Sequence, residues 1–226
     1  MKLPSSIAYP LFYLLYRIER RGSPIAPIRR AIRSYSPDEQ AAFDDLLDST
    51  ILGGPNSLID YQLPYSKVDF LNYLCDWCGL VAHGSTIHNL SLLEPVRRSS
   101  DSSEFGNRKQ IFCSPDGIWA IWFAILDKSK CHLTENGCVR IGSGKKRIKY
   151  YHFDLPTDCK NDPPFVNGMI YLADAKEFPY RHHYPMLDWL DAEIEEWGSV
   201  NPVSPIARLQ VKPEDFPYLD KVQFRL

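Results

Sequence analysis

The chain has 226 residues, 44% of them hydrophobic and 24% charged, with a formal net charge of −2. That is enough apolar material for a buried core, and the charge balance by itself implies neither a nucleic-acid nor a membrane partner. No apolar run reaches the ~18 residues of a membrane span, and the stretch from Ile7 to Leu15 has no cleavage site that would make it a signal peptide. Six cysteines in a chain of this length do not form a disulfide framework, so reduced thiols in the cytoplasm are expected.

Residues 1–64 are expected to form a helical N-terminal subdomain. Leu11, Leu14, Leu15 and Ile18 recur at helical spacing, and Ile25, Ile28 and Ile32 do so again after Gly22. Ser36-Pro37-Asp38-Glu39 is a helix start, with a serine cap, proline in the first turn and glutamate three residues after the cap. Its helix should run to about Leu47, ahead of Gly53-Gly54-Pro55. Basic residues such as Arg17, Arg20, Arg21, Arg29, Arg30 and Arg33 form either a solvated face or a nucleic-acid contact.

A further helix starts at Ser66, with Asp69 in capping-box position, and Gly79 stops it. A short strand then delivers His83, Gly84 and Ser85 in succession. Residues 86–110 are polar and loop-like. Ile111 to Cys113 is a second short strand. Ser114-Pro115-Asp116 caps a helix whose Ile118, Trp119, Ile121, Trp122 and Ile125 cover most of its circumference, which predicts burial. Residues 138–141, 148–153, 169–173 and 207–211 are expected to be strands, with a turn at Gly142-Ser143-Gly144. Residues 185–196 are either a helix or an acidic loop leading into a strand. The fold class is therefore α+β, with a domain of short strands over 65–226 behind the N-terminal helices.

Cys75-Asp76-Trp77-Cys78 raises zinc or redox chemistry. Cys131 and Cys138 are spaced too widely for a second knuckle, and helical spacing sets Cys75 and Cys78 beside Leu71 and Leu74 as buried thiols. His182, His183 and Asp188 are weak ligand candidates. No metal is expected.

The remaining pattern points to a dinucleotide. Cleaving the nicotinamide–ribose bond of NAD requires a clamp for the carboxamide, a partner for the ribose hydroxyls, an aromatic face for the pyridinium and a carboxylate near the ribose. Backbone beside a glycine can clamp an amide closely. Histidine can hydrogen-bond a hydroxyl, and an aromatic ring can stack on a cationic one. A carboxylate opposes oxocarbenium charge and can orient a nucleophile.

With those residues in order, the sequence resembles the ADP-ribosyltransferase fold, in the His-Tyr-Glu class of diphtheria toxin and the poly(ADP-ribose) polymerases. His83-Gly84-Ser85 is similar to the first motif of that class. Phe112 falls where the class carries its tyrosine, and Phe123, eleven residues on, where polymerases place a second aromatic. Glu196-Trp197, then Asn201-Pro202-Val203, then Arg208-Leu209, looks like the third motif. The stretch from His83 to Leu126 is also similar to the rifampin ADP-ribosyltransferases, through His83-Gly84-Ser85, Leu93-Glu94-Pro95, the loop from Ser103 to Arg108, and Trp119-Ala120-Ile121-Trp122.

The resemblance implies a split β-sheet core and an enzyme that takes NAD as substrate. It would transfer ADP-ribose to an unidentified acceptor, or hydrolyse NAD. Glu196 would be catalytic, and His83, Gly84, Ser85, Phe112, Ser114 and Phe123 would bind NAD. Arg97, Arg98, Arg108 and Lys109 could meet the pyrophosphate. Two positions depart from the class. Phe112 lacks the tyrosine hydroxyl, and Ala120 stands where polymerases carry a hydroxyl on the following helix. Both leave open a catalytically degenerate binding or interaction module. Glu193 and Glu195 compete with Glu196, which the spacing to Pro202 favours.

Overall fold

Helix starts follow the capping residues. The computed structural model describes residues 3–19, 26–95, 104–131, 133–142, 144–183 and 189–225. Four α-helices lie within them: α1 (Ser5–Glu19), α2 (Pro37–Leu52), α3 (Lys67–Trp77) and α4 (Gly117–Ile125). At α2, Ser36 Oγ accepts from the Glu39 N–H at 3.2 Å while the Glu39 carboxylate accepts from the Ser36 N–H at 2.8 Å. The helix runs past Leu47 and stops at Gly53. Ser66 caps α3 and Asp116 caps α4, each through its side chain. No helix among the described residues is long and apolar enough to cross a membrane.

The first strands are β1 (Ile28–Ala31), β2 (Ser57–Leu58), β3 (Leu80–Ser85) and β4 (Ile111–Cys113). Then come β5 (Glu135–Ile141), β6 (Ile148–Leu155), β7 (Gly168–Asp174) and β8 (Tyr180–Arg181). The last are β9 (Ala192–Ile194), β10 (Trp197–Ser199), β11 (Ala207–Val211) and β12 (Gln223–Phe224). One sheet runs β1-β6-β5-β9, with β12 also on β6; a second runs β2-β11-β7-β3; a third runs β4-β10-β8. The second and third meet at a single bridge, Ala82 to Ser114. The protein is thus a mixed α+β fold.

Residues 1–64 are not all helical. Ile28–Ala31 pairs with β6 as a strand, although Ile25, Ile28 and Ile32 have helical spacing. Ile28 packs against the main core and Arg30 reaches Asp76, while the alternate residues Arg29 and Ala31 are exposed. A long-range partner strand overrides the local period there. β2 joins β11, and Phe43 of α2 packs against Phe70 and Tyr73 of α3. The N-terminal segment is therefore interleaved with the rest of the chain. In residues 185–196, Ala192–Ile194 form a strand; 185–188 lie outside the described residues.

α4 is the buried pillar. Eight of its nine residues are buried, and it lies across β3 and β7. Gly84 makes the approach possible: a Cβ there would overlap the Ala120 carbonyl oxygen and the Ala124 nitrogen. At the foot of α4 lies a buried charge cluster. Lys149 Nζ sits 3.0 Å from Asp116, 3.1 Å from Glu195 and 3.2 Å from Asp76. Tyr151 donates to Asp116 at 2.8 Å, and Arg147 reaches Asp76 at 2.9 Å.

Burial alone would lower the Lys149 pKa, but Asp116, Glu195 and Asp76 reverse that and hold it well above the usual lysine range. Burial likewise pushes the Asp116 carboxyl up, and Lys149 and Arg30 outweigh it, so its pKa falls below the usual value. The Asp116 contribution to stability is present above the unfolded carboxyl pKa, about 4, and is lost as pH falls through the depressed folded value. That of Lys149 is complete below the unfolded lysine pKa, about 10.4, and is lost as pH rises through the raised folded value.

Two outcomes follow for stability measured by urea denaturation. Lys149→Met leaves buried Asp116 without an ion-pair partner and takes one cation from Asp76 and Glu195, which keep Arg147 and Arg140. It should cost about 3–5 kcal/mol at neutral pH, with part of that loss recovered as pH falls and Asp116 protonates. Gly84→Ala should cost about 1–3 kcal/mol, because α4 must move off the sheet to admit the methyl group.

Candidate functional site

Beyond the Ala82–Ser114 bridge, β3 and β4 separate. Ala82 and Ser114 exchange both backbone hydrogen bonds at 2.9 Å. In an antiparallel pair, alternate residues aim their polar groups at the same neighbour. The N–H and C=O of Gly84 and of Phe112 therefore face each other across the opening, where the register would have paired them. The side chain of His83 spans it instead: Nδ1 donates to the Phe112 carbonyl at 2.7 Å. Gly84 is half-buried, and no hydrogen bond among the described residues closes on its N–H or C=O from this side.

Glu196 stands across β4 from this opening. β10 pairs with β4 so that Gly198 opposes Phe112 and Trp197 opposes Cys113, which sets Glu196 opposite Ser114. Two strand spacings, about 10 Å, therefore separate Glu196 from β3. The pleat puts Glu196, Gly198 and Phe112 on one face, and Glu195 and Trp197 on the other. Partners divide accordingly. Glu195 is buried and binds Lys149 and Arg140, and Glu193 pairs with Arg140. Glu196 is partly exposed, and its Oε2 lies 2.9 Å from His182 Nδ1. Of the three competing glutamates, only Glu196 is not paired with a lysine or arginine among the described residues.

The loop over 104–110 covers the same face. Phe105 stacks on His182 with ring centroids 4.6 Å apart and meets Phe112 edge-on at 5.8 Å. Gln110 lies beneath Gly198, where a Cβ would overlap its side-chain oxygen, and donates to the Phe105 carbonyl at 2.9 Å. Arg108 rests on the Tyr180 ring at 4.4 Å. On the opposite face Arg181 stacks on Trp197 at 3.5 Å.

The other expected residues fall in different places. Ser85 Oγ accepts from the Ile87 N–H at 3.1 Å and shapes the exit of β3. Ser114 is buried, and its hydroxyl donates to the Glu195 carbonyl at 2.7 Å, so it holds the segment before β10 against β4. Phe123 sits on α4 with Trp119 at 5.7 Å and Lys128 at 5.1 Å, and no described ring contact joins it to Phe112. Lys109 precedes the loop's end at Gln110. Arg97, Arg98 and Ser103 lie outside the described residues.

A recess of about 300 Å³ opens beside Trp197, lined by Cys75, Asp76, Arg140, Arg147, Glu193 and Glu195. Its charged groups pair with one another or with Lys149. Burial pushes the Cys75 thiol well above its usual pKa, which makes it a poor nucleophile. Cys78 is exposed at the C-cap of α3, not buried as helical spacing predicts, because the helix ends one residue before it. Among the described residues no cluster of three or more His, Cys, Asp or Glu side chains is placed to hold a metal ion.

Sequence reasoning missed His182 as the neighbour of Glu196. The adjacent His182 and His183 suggest only ligand candidates, and pairing between β8 and β10 has no local signal. Phe105 lies in the loop from Ser103 to Arg108, and neither it nor Gln110 carries a local signal for its contacts with His182 and Gly198. Comparison with family models, with curated proteins and with solved structures finds no match to this chain.

Proposed function

We propose that the chain binds NAD across the opening between β3 and β4 and breaks its nicotinamide–ribose bond, passing ADP-ribose to an acceptor or to water. The observation that carries this reading is the open edge at Gly84 facing Phe112, with Glu196 on the adjoining strand. A primary carboxamide has one acceptor and one donor side by side. The N–H and C=O of a single residue on an unpaired strand edge match them. The same reading draws support from the fold, where two short sheets are joined at one bridge, as a split core requires.

In this reading the carboxamide oxygen accepts from Gly84 N–H, and its NH2 donates to Gly84 C=O. The Phe112 ring faces the pyridinium. As the C–N bond breaks, its electron pair leaves with nicotinamide and positive charge builds on the ribose. The Glu196 carboxylate opposes that charge, then takes the proton of the attacking hydroxyl or water as the new C–O bond forms. Phe112 supplies the stacking face without a hydroxyl, so orientation of the amide falls to the backbone.

A second reading, a binding module on the same fold, draws on the contacts of Phe105 with Phe112 and His182, which cover part of the face beside Glu196. Purified protein incubated with NAD should release nicotinamide, and Glu196→Gln should slow release about 100-fold or more with its melting temperature retained. Glu195→Gln should instead lose stability first. Absence of release from the wild type, with or without cell lysate, removes the enzymatic reading. Calorimetric binding of NAD without turnover then selects the binding module.

A further inference from the structure

Glu196 has a neighbour that the scheme above leaves unused. His182 directly follows β8 and stands opposite Glu196: its N–H donates to the Glu196 carbonyl at 3.0 Å, and its Nδ1 lies 2.9 Å from Glu196 Oε2. The residue is buried, with 8% of its surface exposed. Phe105 stacks on the imidazole with the planes 14° apart. Phe105 is itself anchored, because Gln110 donates to its carbonyl and packs under Gly198. Three independent constraints thus fix one imidazole against one carboxylate oxygen: strand pairing, an aromatic face and the hydrogen bond.

A carboxylate only accepts hydrogen bonds, so the proton between the two groups belongs to Nδ1. Free neutral histidine prefers its proton on Nε2, and this pairing selects the other form. It engages Oε2 and restrains rotation of the carboxylate. Among the described residues no hydrogen bond holds Oε1. Glu195 cannot substitute, since Lys149 and Arg140 hold it on the other face.

We propose that His182 is a positioning residue for Glu196, holding Oε2 so that Oε1 is presented to the ribose and to the incoming nucleophile. This rests on the reading of Glu196 as the catalytic carboxylate. Alignment of a charged group before the transition state raises kcat and leaves the affinity for NAD largely unchanged.

The test uses the full chain. His182→Leu should lower kcat for nicotinamide release about 10- to 100-fold, while the KM for NAD changes by less than about twofold. His182→Asn, whose amide N–H can stand in for Nδ1–H, should recover most of kcat. A wild-type kcat in His182→Leu overturns the proposal. So does a His182→Asn variant as slow as His182→Leu, because ring packing alone would then account for the loss. If the wild type releases no nicotinamide, the reading of the site fails and this role fails with it. Nitrogen-15 NMR of the imidazole distinguishes the two failures. The proton should sit on Nδ1 in the wild type and move to Nε2 in Glu196→Ala. The same form in both proteins disproves the pairing whatever the activity.

Discussion

A fully buried ammonium is the constraint from which much of the architecture follows. Lys149 cannot remain charged in the core without partners, since desolvation of an ion costs several kcal/mol. Its three carboxylates come from α3, from the N-cap of α4 and from the segment entering β10. Each must arrive in the right place for the others to be tolerated. The cluster therefore fixes the angle at which α4 leaves β4, the depth of α3 and the position of Glu195. Asp116 serves twice, since one oxygen caps α4 through the Trp119 N–H and the other binds Lys149 and Tyr151.

How much of this was legible in the sequence depends on how local the cause is. Helix starts at Ser36, Ser66 and Asp116 could be read because a cap and its helix lie within four residues. The buried run of α4 was visible because nine consecutive residues contain no charge. β1 was misread because Ile25, Ile28 and Ile32 fit a helix locally, while its partner β6 is more than a hundred residues away. Lys149 could not be found at all. A lysine within a strand normally marks an exposed position, and only the convergence of three remote carboxylates reverses that.

The candidate site divides along the same line. His83, Gly84 and Phe112 were legible as residues in sequence order, and the structure brings the strands carrying them side by side. Their roles were less legible. Gly84 answers two demands at once: α4 lies against one face of it, while its edge polar groups look into the opening beside Phe112. A glycine meets both because it has no side chain to obstruct the helix. Ser114 and Phe123 matched by spacing, but one is committed to the Glu195 carbonyl and the other to Trp119 and Lys128. Spacing along a chain gives a position on a strand or helix; it does not give what already occupies a hydroxyl or a ring face.

The two adjacent glutamates are held in separate surroundings. Along an extended chain, neighbours point to opposite faces. Glu195 goes inward to Lys149 and Arg140, and Glu196 goes outward to His182. A slip of one residue between β9 and β10 would exchange them, leaving the buried cations to pair with the wrong carboxylate. Lys149 thus does more than close the core. By accepting only one register for the segment before β10, it decides which of two identical side chains is left on the Phe112 face, across β4 from the opening. Ser114 reinforces the choice by binding the Glu195 carbonyl from just beyond β4, the strand whose other edge lines that opening.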